Sequence, residues 1–504
     1  MSTIIAGPPG TGKTYTLIHK HLYNELFKNK TDPKKIAYIT FSNAAADEAR
    51  ERIEKEYPKM EFDWISTMHS MGTKQLKIDT NTQLLQGKNW NPFRNKYKHK
   101  NLHFETIEHE NGHREYKNQY MKIIEYSRCR KTEIIKSAIE LDLIDFISIP
   151  LLKQINEDIN NYKKDYTMFE FSDMISKFVE NKLCPSLDVV FLDEAQDLNP
   201  LQWDMFFYIE SLCKRSYIAG DDDQAIYAFQ GADAKTFIDL KGTPDHQIQS
   251  RRVPRAVHKI SLSVLKNISE RKEKEWLPRD EEGQVIYDKQ LEDIDFSQGQ
   301  WMILTRTNKQ MENLVPYMQS LGYRFDCKFN DLLPIEVVKA INDWDRLNKG
   351  ASISGEEAKN IYQYLKYEDG DVKYGFSSGN SLDKVDSVDM DELRMDHGLI
   401  ASGDWRVLRI KKYIKEYVEK LVASGEDLTK PARIKMSTIH GVKGEESENV
   451  ILFTDLEKII YDAALVNKDT EHRLFFVGIT RAKQNLFIMN QGYEYQYNIG
   501  DEIL

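Results

Sequence analysis

Short apolar runs alternate with amphipathic stretches at the start of the chain. Ser2–Ala6 and Ile36–Thr40 have the pattern of buried strands, and Ala44–Glu56 has the pattern of a helix. Another helix is predicted over Lys13–Leu26, where one face carries Leu17, Ile18, Leu22 and Leu26. Strands that alternate with helices are typical of an α/β domain with a parallel sheet, so this class is predicted for residues 1–72.

This pattern is interrupted twice, which predicts two inserts. Residues 73–168 are rich in Lys, Asn and Glu and carry long helical patterns such as Lys131–Ile147. A second insert is predicted over 331–431, and its Asp-, Ser- and Gly-rich middle, Glu368–Asp396, favours a flexible or irregular segment. Strand patterns return outside the inserts, at Leu187–Leu192, Ser216–Gly220, Trp301–Thr305, Val450–Thr454 and Leu486–Met489. We therefore predict one core from 1–72 with 169–250 and another from 251–330 with 432–504.

Composition indicates a globular protein of several domains. The chain has 504 residues, which is too long for a single hydrophobic core. Of these residues 40% are hydrophobic and 30% are charged, as in globular proteins. No apolar run approaches the roughly 20 residues that cross a bilayer, and no leader pattern opens the sequence. We therefore expect a cytoplasmic protein without a membrane partner.

Charge and cysteine content restrict the chemistry further. Cys129, Cys184, Cys213 and Cys327 are far apart, which argues against a zinc site, an iron–sulfur cluster and a disulfide framework. The net charge of -10 does not favour a nucleic-acid partner, although a basic groove on an acidic protein would suffice.

A complete phosphate-binding loop follows the first predicted strand and precedes the first predicted helix. It reads Gly7, Pro8, Pro9, Gly10, Thr11, Gly12, Lys13 and Thr14. Glycines allow backbone N–H groups to face phosphate oxygens at a positive helix N-terminus. Lys13 is expected to reach the β- and γ-phosphates and Thr14 to ligate Mg²⁺, which predicts a nucleoside triphosphate, taken as ATP, and Mg²⁺.

Adjacent acids follow another buried run. Asp193 and Glu194 come directly after Val189–Leu192, at the strand end where α/β sheets bind ligands. Asp193 is expected to hold Mg²⁺, and Glu194 to orient and deprotonate the attacking water. The sequence therefore predicts hydrolysis of the nucleotide before it indicates the purpose.

Further motifs resemble those of superfamily 1 helicases of the UvrD/Rep type and occur in the same order as in that family. The sequences that carry the resemblance are 40-TFSNA-44, 66-STMHS-70, 169-FEFSDM-174, 193-DEAQD-197, 220-GDDDQAIYAFQGA-232, 249-QSRR-252, 438-TIHGVKGEE-446 and 477-VGITRA-482. This resemblance implies an α/β fold of two RecA-like P-loop NTPase domains, each with an inserted, mainly helical subdomain. It extends from residue 7 to about 489 and is weak only in the inserts.

The resemblance also implies roles at the nucleotide. Arg252 and Arg481 would be the arginine fingers that stabilise transition-state charge. Gln224 would sense the γ-phosphate, and Glu446 would lie near the nucleotide sugar. Arg251 stands where the family has an adenine-stacking Tyr, and no Gln-containing segment precedes Gly7, so the preference for ATP over other nucleotides stays open.

A set of aromatic and polar residues is the candidate strand-binding surface. Base stacking tolerates any sequence and therefore suits a motor. The stacking candidates are Phe41, His69, Tyr227 and Phe229, and the candidates for phosphate or sugar contacts are Asn43, Thr67, Thr438 and His440. For Tyr227, packing in the hydrophobic core is as good an interpretation as stacking on a base.

The resulting expectation is a monomeric ATP-dependent helicase that moves 3′-to-5′ on single-stranded DNA and acts at junctions with duplex. Replication or repair proteins are possible partners, and the compact chain hints at a viral or mobile-element origin, hence a host cytoplasm. Two alternatives stay open: a translocase that displaces proteins without unwinding, and a DNA-binding scaffold switched by nucleotide. A nuclease is disfavoured because little sequence follows residue 489, and the preference for DNA over RNA comes only from the resemblance.

Overall fold

The computed structural model describes residues 2–99, 102–104, 106–108, 114–287, 289–330 and 332–499. The predicted domain bounds at residues 1, 331 and 504 lie outside these residues.

Strands occur in both halves of the chain. In chain order they are β1 Ser2–Ala6, β2 Ile36–Thr40, β3 Trp64–Thr67, β4 Thr106–Glu108, β5 Arg114–Tyr116, β6 Val189–Leu192, β7 Arg215–Gly220, β8 Thr243–Pro244, β9 Gln284–Ile286, β10 Trp301–Thr305, β11 Phe325–Asp326, β12 Ile434–Thr438, β13 Ser447–Phe453, β14 Asp455–Leu456, β15 Ala482–Met489 and β16 Tyr495–Gln496.

Helices connect most of these strands. They are α1 Lys13–Tyr15, α2 Asn43–Glu56, α3 Met68–Leu76, α4 Trp90–Lys96, α5 Gln119–Arg130, α6 Ile134–Glu140, α7 Ile149–Tyr166, α8 Phe171–Glu180, α9 Pro200–Leu212, α10 Ala234–Ile238, α11 Arg255–Leu265, α12 Asn308–Leu321, α13 Ile335–Asn348, α14 Gly355–Tyr362, α15 Met390–Asp396, α16 Lys412–Ala423, α17 Lys458–Val466 and α18 Lys468–Ile479. Among the described residues, none of these helices is both long and apolar enough to span a membrane.

The chain divides into two compact units. The first unit comprises Met1–Asp288 with Ile439–Leu504, and the second comprises Lys289–Thr438. This division differs from the predicted domain bounds, which therefore stay a prediction.

The first unit contains a parallel sheet with the strand order β3-β2-β6-β7-β1-β8. Consecutive residues of its central strands point to opposite faces. Tyr38 and Phe191 belong to one buried cluster, together with Leu17 of the first helical segment, whereas Ile39 and Leu192 belong to the other. Because both faces are covered, the central strands are apolar throughout, as expected for a parallel sheet inside an α/β domain. The carboxyl ends of β1, β6 and β7 lie side by side and carry the motifs described below.

The helix after the phosphate-binding loop has wide turns. α1 continues as π-helical segments at Thr16–Leu22 and Asn24–Lys28, and the N–H of Asn29 donates to the carbonyl of Asn24 at 2.9 Å. The predicted apolar face of this helix is buried. The prediction of a helix here is confirmed, but its π-helical turns were not predicted.

The insert over residues 73–168 has a helical core of its own. Trp90, Phe93, Ile124 and Ile155 pack in one buried cluster there. The prediction of a single helix over Lys131–Ile147 is wrong. Lys131 adopts φ 56° and ends α5, and the Glu133 side chain then accepts from the N–H of Ile135 at 2.9 Å to start the short α6.

Both units contain further parallel strands. In the first unit β15 pairs with β13 and β9, and in the second unit β12 pairs with β10 and β11. The chain therefore has two parallel-sheet α/β domains, as predicted. The segment Glu368–Asp396 of the second unit is mostly irregular, but it includes α15, and Val372, Leu382 and Leu393 are buried in the unit's core. Apolar side chains at intervals hold this polar segment against the core.

Strand β7 of the first sheet is tied to the helical segment Asn24–Lys28 by a buried carboxylate. Glu25 accepts from Arg215 at 2.6 and 2.7 Å, from the Tyr217 hydroxyl at 2.7 Å and from the Thr31 hydroxyl at 2.8 Å. Burial alone would raise the pKa of Glu25, but the bonds from Arg215, Tyr217 and Thr31 outweigh it and lower the pKa. The ionised form is therefore the one that stabilises the fold.

We predict that Glu25→Gln lowers the free energy of unfolding at pH 7 by about 1–3 kcal/mol, because Arg215 loses its buried carboxylate partner; the loss stays moderate because the Arg215 side chain is partly exposed to water. The folded pKa lies below the ordinary value of 4.5, so this contribution is present above that value and is lost as the pH falls through the lower folded value. Urea unfolding at pH 7 and at pH 4 should show a smaller difference from wild type at pH 4. The exposed neighbour Lys214→Gln is the control and should change stability by less than about 0.5 kcal/mol; an equal loss in both variants would refute the assignment.

Candidate nucleotide and strand site

The phosphate-binding loop joins β1 to α1 in a conformation that needs glycine. Gly10 and Gly12 have φ 74° and 83°. A Cβ atom on Gly10 would lie 2.5 Å from the Cβ of Arg252 and 2.7 Å from Oγ of Ser250. The loop can therefore approach 249-QSRR-252 closely only because this position lacks a side chain.

Lys13 and Thr14 lie at the start of α1, next to the end of β6. The Lys13 ammonium is buried and donates to the Gly7 carbonyl at 2.8 Å. The Thr14 hydroxyl donates to Oδ2 of Asp193 at 2.7 Å. A cation and a hydroxyl–carboxylate pair thus lie at the positive end of a helix, which is an arrangement suited to a phosphate chain and a hard cation.

The pair formed by Thr14 and Asp193 fits Mg²⁺ on its chemistry. Mg²⁺ prefers oxygen ligands and is often held by one or two carboxylates together with substrate phosphates. Among the described residues there is no cluster of three or more His, Cys, Asp or Glu that could hold a metal without such help. The oxygen atoms present are therefore adequate only if the nucleotide supplies the rest.

The adjacent acids differ in their ionisation. Burial and the neighbouring Glu194 charge raise the pKa of Asp193 to about 6. The hydroxyls of Thr14 and Tyr38 donate to Asp193 and oppose this rise only in part. Burial also opposes ionisation of Glu194, but the cations of Lys443 and Lys13 outweigh it and lower the pKa of Glu194. Glu194 is therefore a carboxylate at neutral pH and can accept a proton.

A buried glutamine links Glu194 to the next strand. Nε2 of Gln196 donates to Oε2 of Glu194 at 2.5 Å, and Oε1 of Gln196 accepts from the backbone N–H of Asp221 at 2.9 Å. Gln196 was not among the residues predicted from the sequence. Its position inside 193-DEAQD-197 on a buried turn was the available signal, because a buried amide must find partners.

Gln224 connects Asp221 with Arg481. Its Nε2 donates to Oδ2 of Asp221 at 2.7 Å, and its Oε1 accepts from Nη2 of Arg481 at 2.9 Å. Arg481 is fully buried and also donates to the carbonyls of Val477 and Glu445, at 2.9 and 3.1 Å. Burial and the nearby cation of Arg252 lower the pKa of Arg481 to about 9, so it remains a cation at neutral pH.

The other predicted arginine finger is adjacent to the phosphate-binding loop. Ser250 Oγ donates to the Pro9 carbonyl at 2.9 Å, and the Arg251 N–H donates to the Gly10 carbonyl at 2.8 Å. These bonds place Arg252 beside the loop, where its guanidinium contacts the carboxylate of Glu446. Glu446 also contacts Lys483 at 3.2 Å, and although burial opposes it, Arg252 and Lys483 lower its pKa. The nucleotide sugar contact expected of Glu446 stays a prediction.

Arg251 stacks on an aromatic ring that sequence analysis did not single out. Its guanidinium carbon lies 5.4 Å from the centre of the Tyr15 ring, and Tyr15 stacks on His19 at 4.1 Å. Tyr15 follows Thr14 directly and is half exposed. Planar groups therefore line this side of the loop, where Arg251 is the predicted nucleotide contact.

Most of the aromatic candidates for strand binding form one cluster. Phe41 and Tyr227 stack at 5.3 Å with ring planes 19° apart, and His440 meets Phe229 edge-on at 5.3 Å. Tyr227 is only 3% exposed, whereas Phe229 is 40% exposed. Tyr227 thus packs in the core in this structure, and Phe229 presents the most accessible ring of the cluster.

The remaining strand candidates are spread more widely. His69 meets the Phe171 ring edge-on at 6.1 Å, and burial lowers its pKa to about 4, so it is neutral at pH 7. Thr67 caps α3 by accepting from the N–H of Ser70 at 3.2 Å. Asn43 is exposed at the start of α2, and Thr438 ends β12 in the second unit. Their contacts with nucleic acid stay predictions.

Lys443 joins the nucleotide motifs to the aromatic cluster. Its ammonium contacts the Asp197 carboxylate, donates to the Gln224 carbonyl at 2.9 Å and lies 5.0 Å from the centre of the Tyr227 ring. One buried cation therefore touches the acid-pair turn, the Gln224 backbone and the cluster at once.

Known proteins resemble the chain along most of its length. The model of the UvrD/REP helicase N-terminal domain matches residues 1–245, and that of the UvrD-like helicase C-terminal domain matches residues 408–492. A Mycoplasma capricolum protein named a probable DNA helicase II homolog is 23% identical over 99% of this chain and 83% of its own length.

Two further relatives are matched over a shorter part. ATP-dependent DNA helicase PcrA of Staphylococcus aureus is 25% identical over 56% of this chain and 40% of its own length. PcrA of Bacillus subtilis is 25% identical over 58% of this chain and 41% of its own length, so the match spans about two fifths of each PcrA. A solved structure of the PRRSV helicase aligns with 99% of this chain and 54% of its own chain, at 8% identity and a TM-score of 0.35. The two family matches together confirm the resemblance inferred from the motifs: the chain belongs to the UvrD/REP helicase family.

Proposed function

We propose that this protein is an ATP-dependent motor that moves along single-stranded DNA in the 3′-to-5′ direction and unwinds duplex DNA. The single observation that carries the proposal is a continuous hydrogen-bonded path in the first unit. It runs from Glu194 through Gln196, Asp221 and Gln224 to Arg481. A group that activates water is thereby linked to a cation that could stabilise transition-state charge.

In this proposal the chain's own residues bind the phosphates, activate the attacking water and stabilise the transition state. Lys13 exchanges its bond to the Gly7 carbonyl for bonds to the terminal phosphates. Glu194 orients the attacking water and takes its proton. Arg481 and Arg252 hold the equatorial oxygens as charge develops on them. Mg²⁺, held by Thr14 and Asp193, would neutralise phosphate charge when bound.

Coupling to the strand is proposed to pass through Lys443. This cation contacts Asp197 beside the acid pair and lies against Tyr227 in the aromatic cluster. A change at the nucleotide that moves Gln224 would therefore move Lys443 and, through it, the Tyr227 ring, which packs against Phe41 and Phe229. Stacking of bases on Phe229 and a phosphate contact from Asn43 complete the strand path proposed for the first unit.

Nucleotide hydrolysis can be tested with two variants. We predict that Lys13→Ala and Glu194→Gln each lower kcat of DNA-stimulated ATP hydrolysis by at least about 100-fold, because one removes the phosphate cation and the other the general base. Glu194→Gln should still bind a fluorescent ATP analogue, since the substitution leaves every residue of the phosphate-binding loop in place. The control is Lys34→Ala, an equal charge change at the exposed Lys34–Glu61 pair, which should leave kcat unchanged. Normal turnover in Glu194→Gln would refute the role of Glu194.

The arginines can be tested with substitutions that keep the charge. We predict that Arg252→Lys and Arg481→Lys lower kcat by about 10- to 100-fold with little change in KM, because an ammonium cannot reproduce the planar, forked contacts of a guanidinium. Steady-state kinetics against ATP would measure both constants. Arg255→Lys, at the exposed start of α11, is the matched control. A rise in KM without loss of kcat would instead make these arginines ground-state binding groups.

Polarity and unwinding can be tested with tailed duplexes. We predict ATP-dependent strand displacement from a 3′-tailed duplex and none from a 5′-tailed or blunt duplex of the same sequence, as followed by fluorescence of the released strand. ATP hydrolysis stimulated by single strands without displacement would favour a translocase that removes proteins. Hydrolysis that does not respond to single strands would favour a nucleotide-switched scaffold.

A further inference from the structure

A buried lysine outside the motifs lies among three carboxylates of 220-GDDDQ-224. Lys274 is 4% exposed, and its ammonium contacts Asp221 at 2.6 Å, Asp222 at 2.5 Å and Asp223 at 2.9 Å. Lys274 follows α11 by nine residues and belongs to none of the sequences that carried the family resemblance. Such a cluster is costly to bury unless its charges are paired, so each carboxylate must be accounted for.

Two of the three carboxylates have further partners on the same segment. Asp223 receives two bonds from Arg271, at 2.7 and 2.8 Å, and Asp222 receives the backbone N–H of Lys272 at 2.7 Å. Oδ1 of Asp221 accepts from the Lys274 ammonium, and Oδ2 of Asp221 accepts from Gln224. Burial opposes ionisation of Asp221, but Lys274 and then Lys13 outweigh it and lower the pKa of Asp221.

The charge on Asp221 decides which way the Gln224 amide points. A carboxylate only accepts, so it requires the NH₂ group of Gln224, and the carbonyl oxygen is then directed at Arg481. If Asp221 were a neutral acid, it could donate to the Gln224 oxygen instead. The NH₂ group would then face the Arg481 guanidinium, and two donors would oppose each other in a buried place.

We infer that Lys274 is a positioning residue for hydrolysis: by pairing with Asp221 it fixes the Gln224 side chain so that its carbonyl oxygen holds Arg481 at the nucleotide. Lys274 touches neither nucleotide nor strand in this role. The inference rests on the proposed function only in that Gln224 and Arg481 act on ATP.

The test is a double-mutant cycle on purified full-length protein, with ATP hydrolysis measured in the presence and absence of single-stranded DNA. Lys274→Met should lower kcat by about tenfold or more while the KM for ATP changes by less than about threefold, because the phosphate-binding loop is untouched. Gln224→Ala should produce a similar loss. Adding Lys274→Met to Gln224→Ala should cost less than about a further twofold, because the two residues act through one contact.

Two further variants separate positioning from stability. Arg271→Met removes a cation from the same segment and the same acidic run without touching Asp221, so it should keep kcat within about twofold of wild type. If Lys274→Met does not fold, the charge-balanced variant Lys274→Met with Asp222→Asn removes one positive and one negative charge together. It should fold and show the same loss of kcat, since Asp221 still lacks its cation.

Several results would overturn the inference. They are an unchanged kcat in Lys274→Met or in the charge-balanced variant, a loss that adds in full to that of Gln224→Ala, and an equal loss in Arg271→Met. A wild-type protein whose hydrolysis ignores DNA would refute the proposed motor but not the inference, because the cycle can be read in the DNA-independent kcat. Absence of any hydrolysis by the wild type would refute both.

Discussion

Compensation of buried negative charge governs the nucleotide site. Asp197, Asp221 and Asp222 are buried, and Glu194 is half-buried beside them. An unpaired carboxylate in such a place would take up a proton. Cations from distant parts of the sequence prevent this at Glu194 and Asp221: Lys13, Lys274 and Lys443. Because each cation is held by a different element, the site can keep its charge only when the first unit is folded around it.

The same requirement explains why the residues predicted to bind the nucleotide are joined to those predicted to bind the strand. Lys443 is a partner of Asp197 and at the same time covers the Tyr227 ring. Burial already raises the pKa of Asp197 to about 7, although Lys443 favours the charged form. Without Lys443 the pKa of Asp197 would rise further, and the carboxylate would be protonated at neutral pH. The contact that stabilises the turn after β6 is therefore also the contact that reaches the aromatic cluster, so a change at one end has a direct physical route to the other.

Local sequence patterns predicted the elements that depend on local physics. The loop from Gly7 to Thr14, the strand β1 and the apolar run before Asp193 follow from residue spacing alone, and the structure confirms them. The break at Lys131 was missed because it depends on a left-handed residue followed by a new cap at Glu133, and helical periodicity does not report either feature. Lys274 and Gln196 were missed for another reason. Their partners are distant in sequence or lie on the backbone, and a lone Lys or Gln in a polar stretch has no periodic signal.

Backbone strain at Glu194 illustrates what tertiary contacts must supply. Glu194 has φ 55°, a left-handed conformation that costs a residue other than glycine about 1–2 kcal/mol. A turn made only of local contacts would relax by letting this residue return to the right-handed region. Here the Glu194 N–H donates to Oδ1 of Asp193 at 3.0 Å and its carboxylate accepts from Gln196, whose own oxygen is held by the next strand. The strain persists because these bonds would be lost on relaxation, and it keeps the carboxylate where the charges of Lys443 and Lys13 lower its pKa.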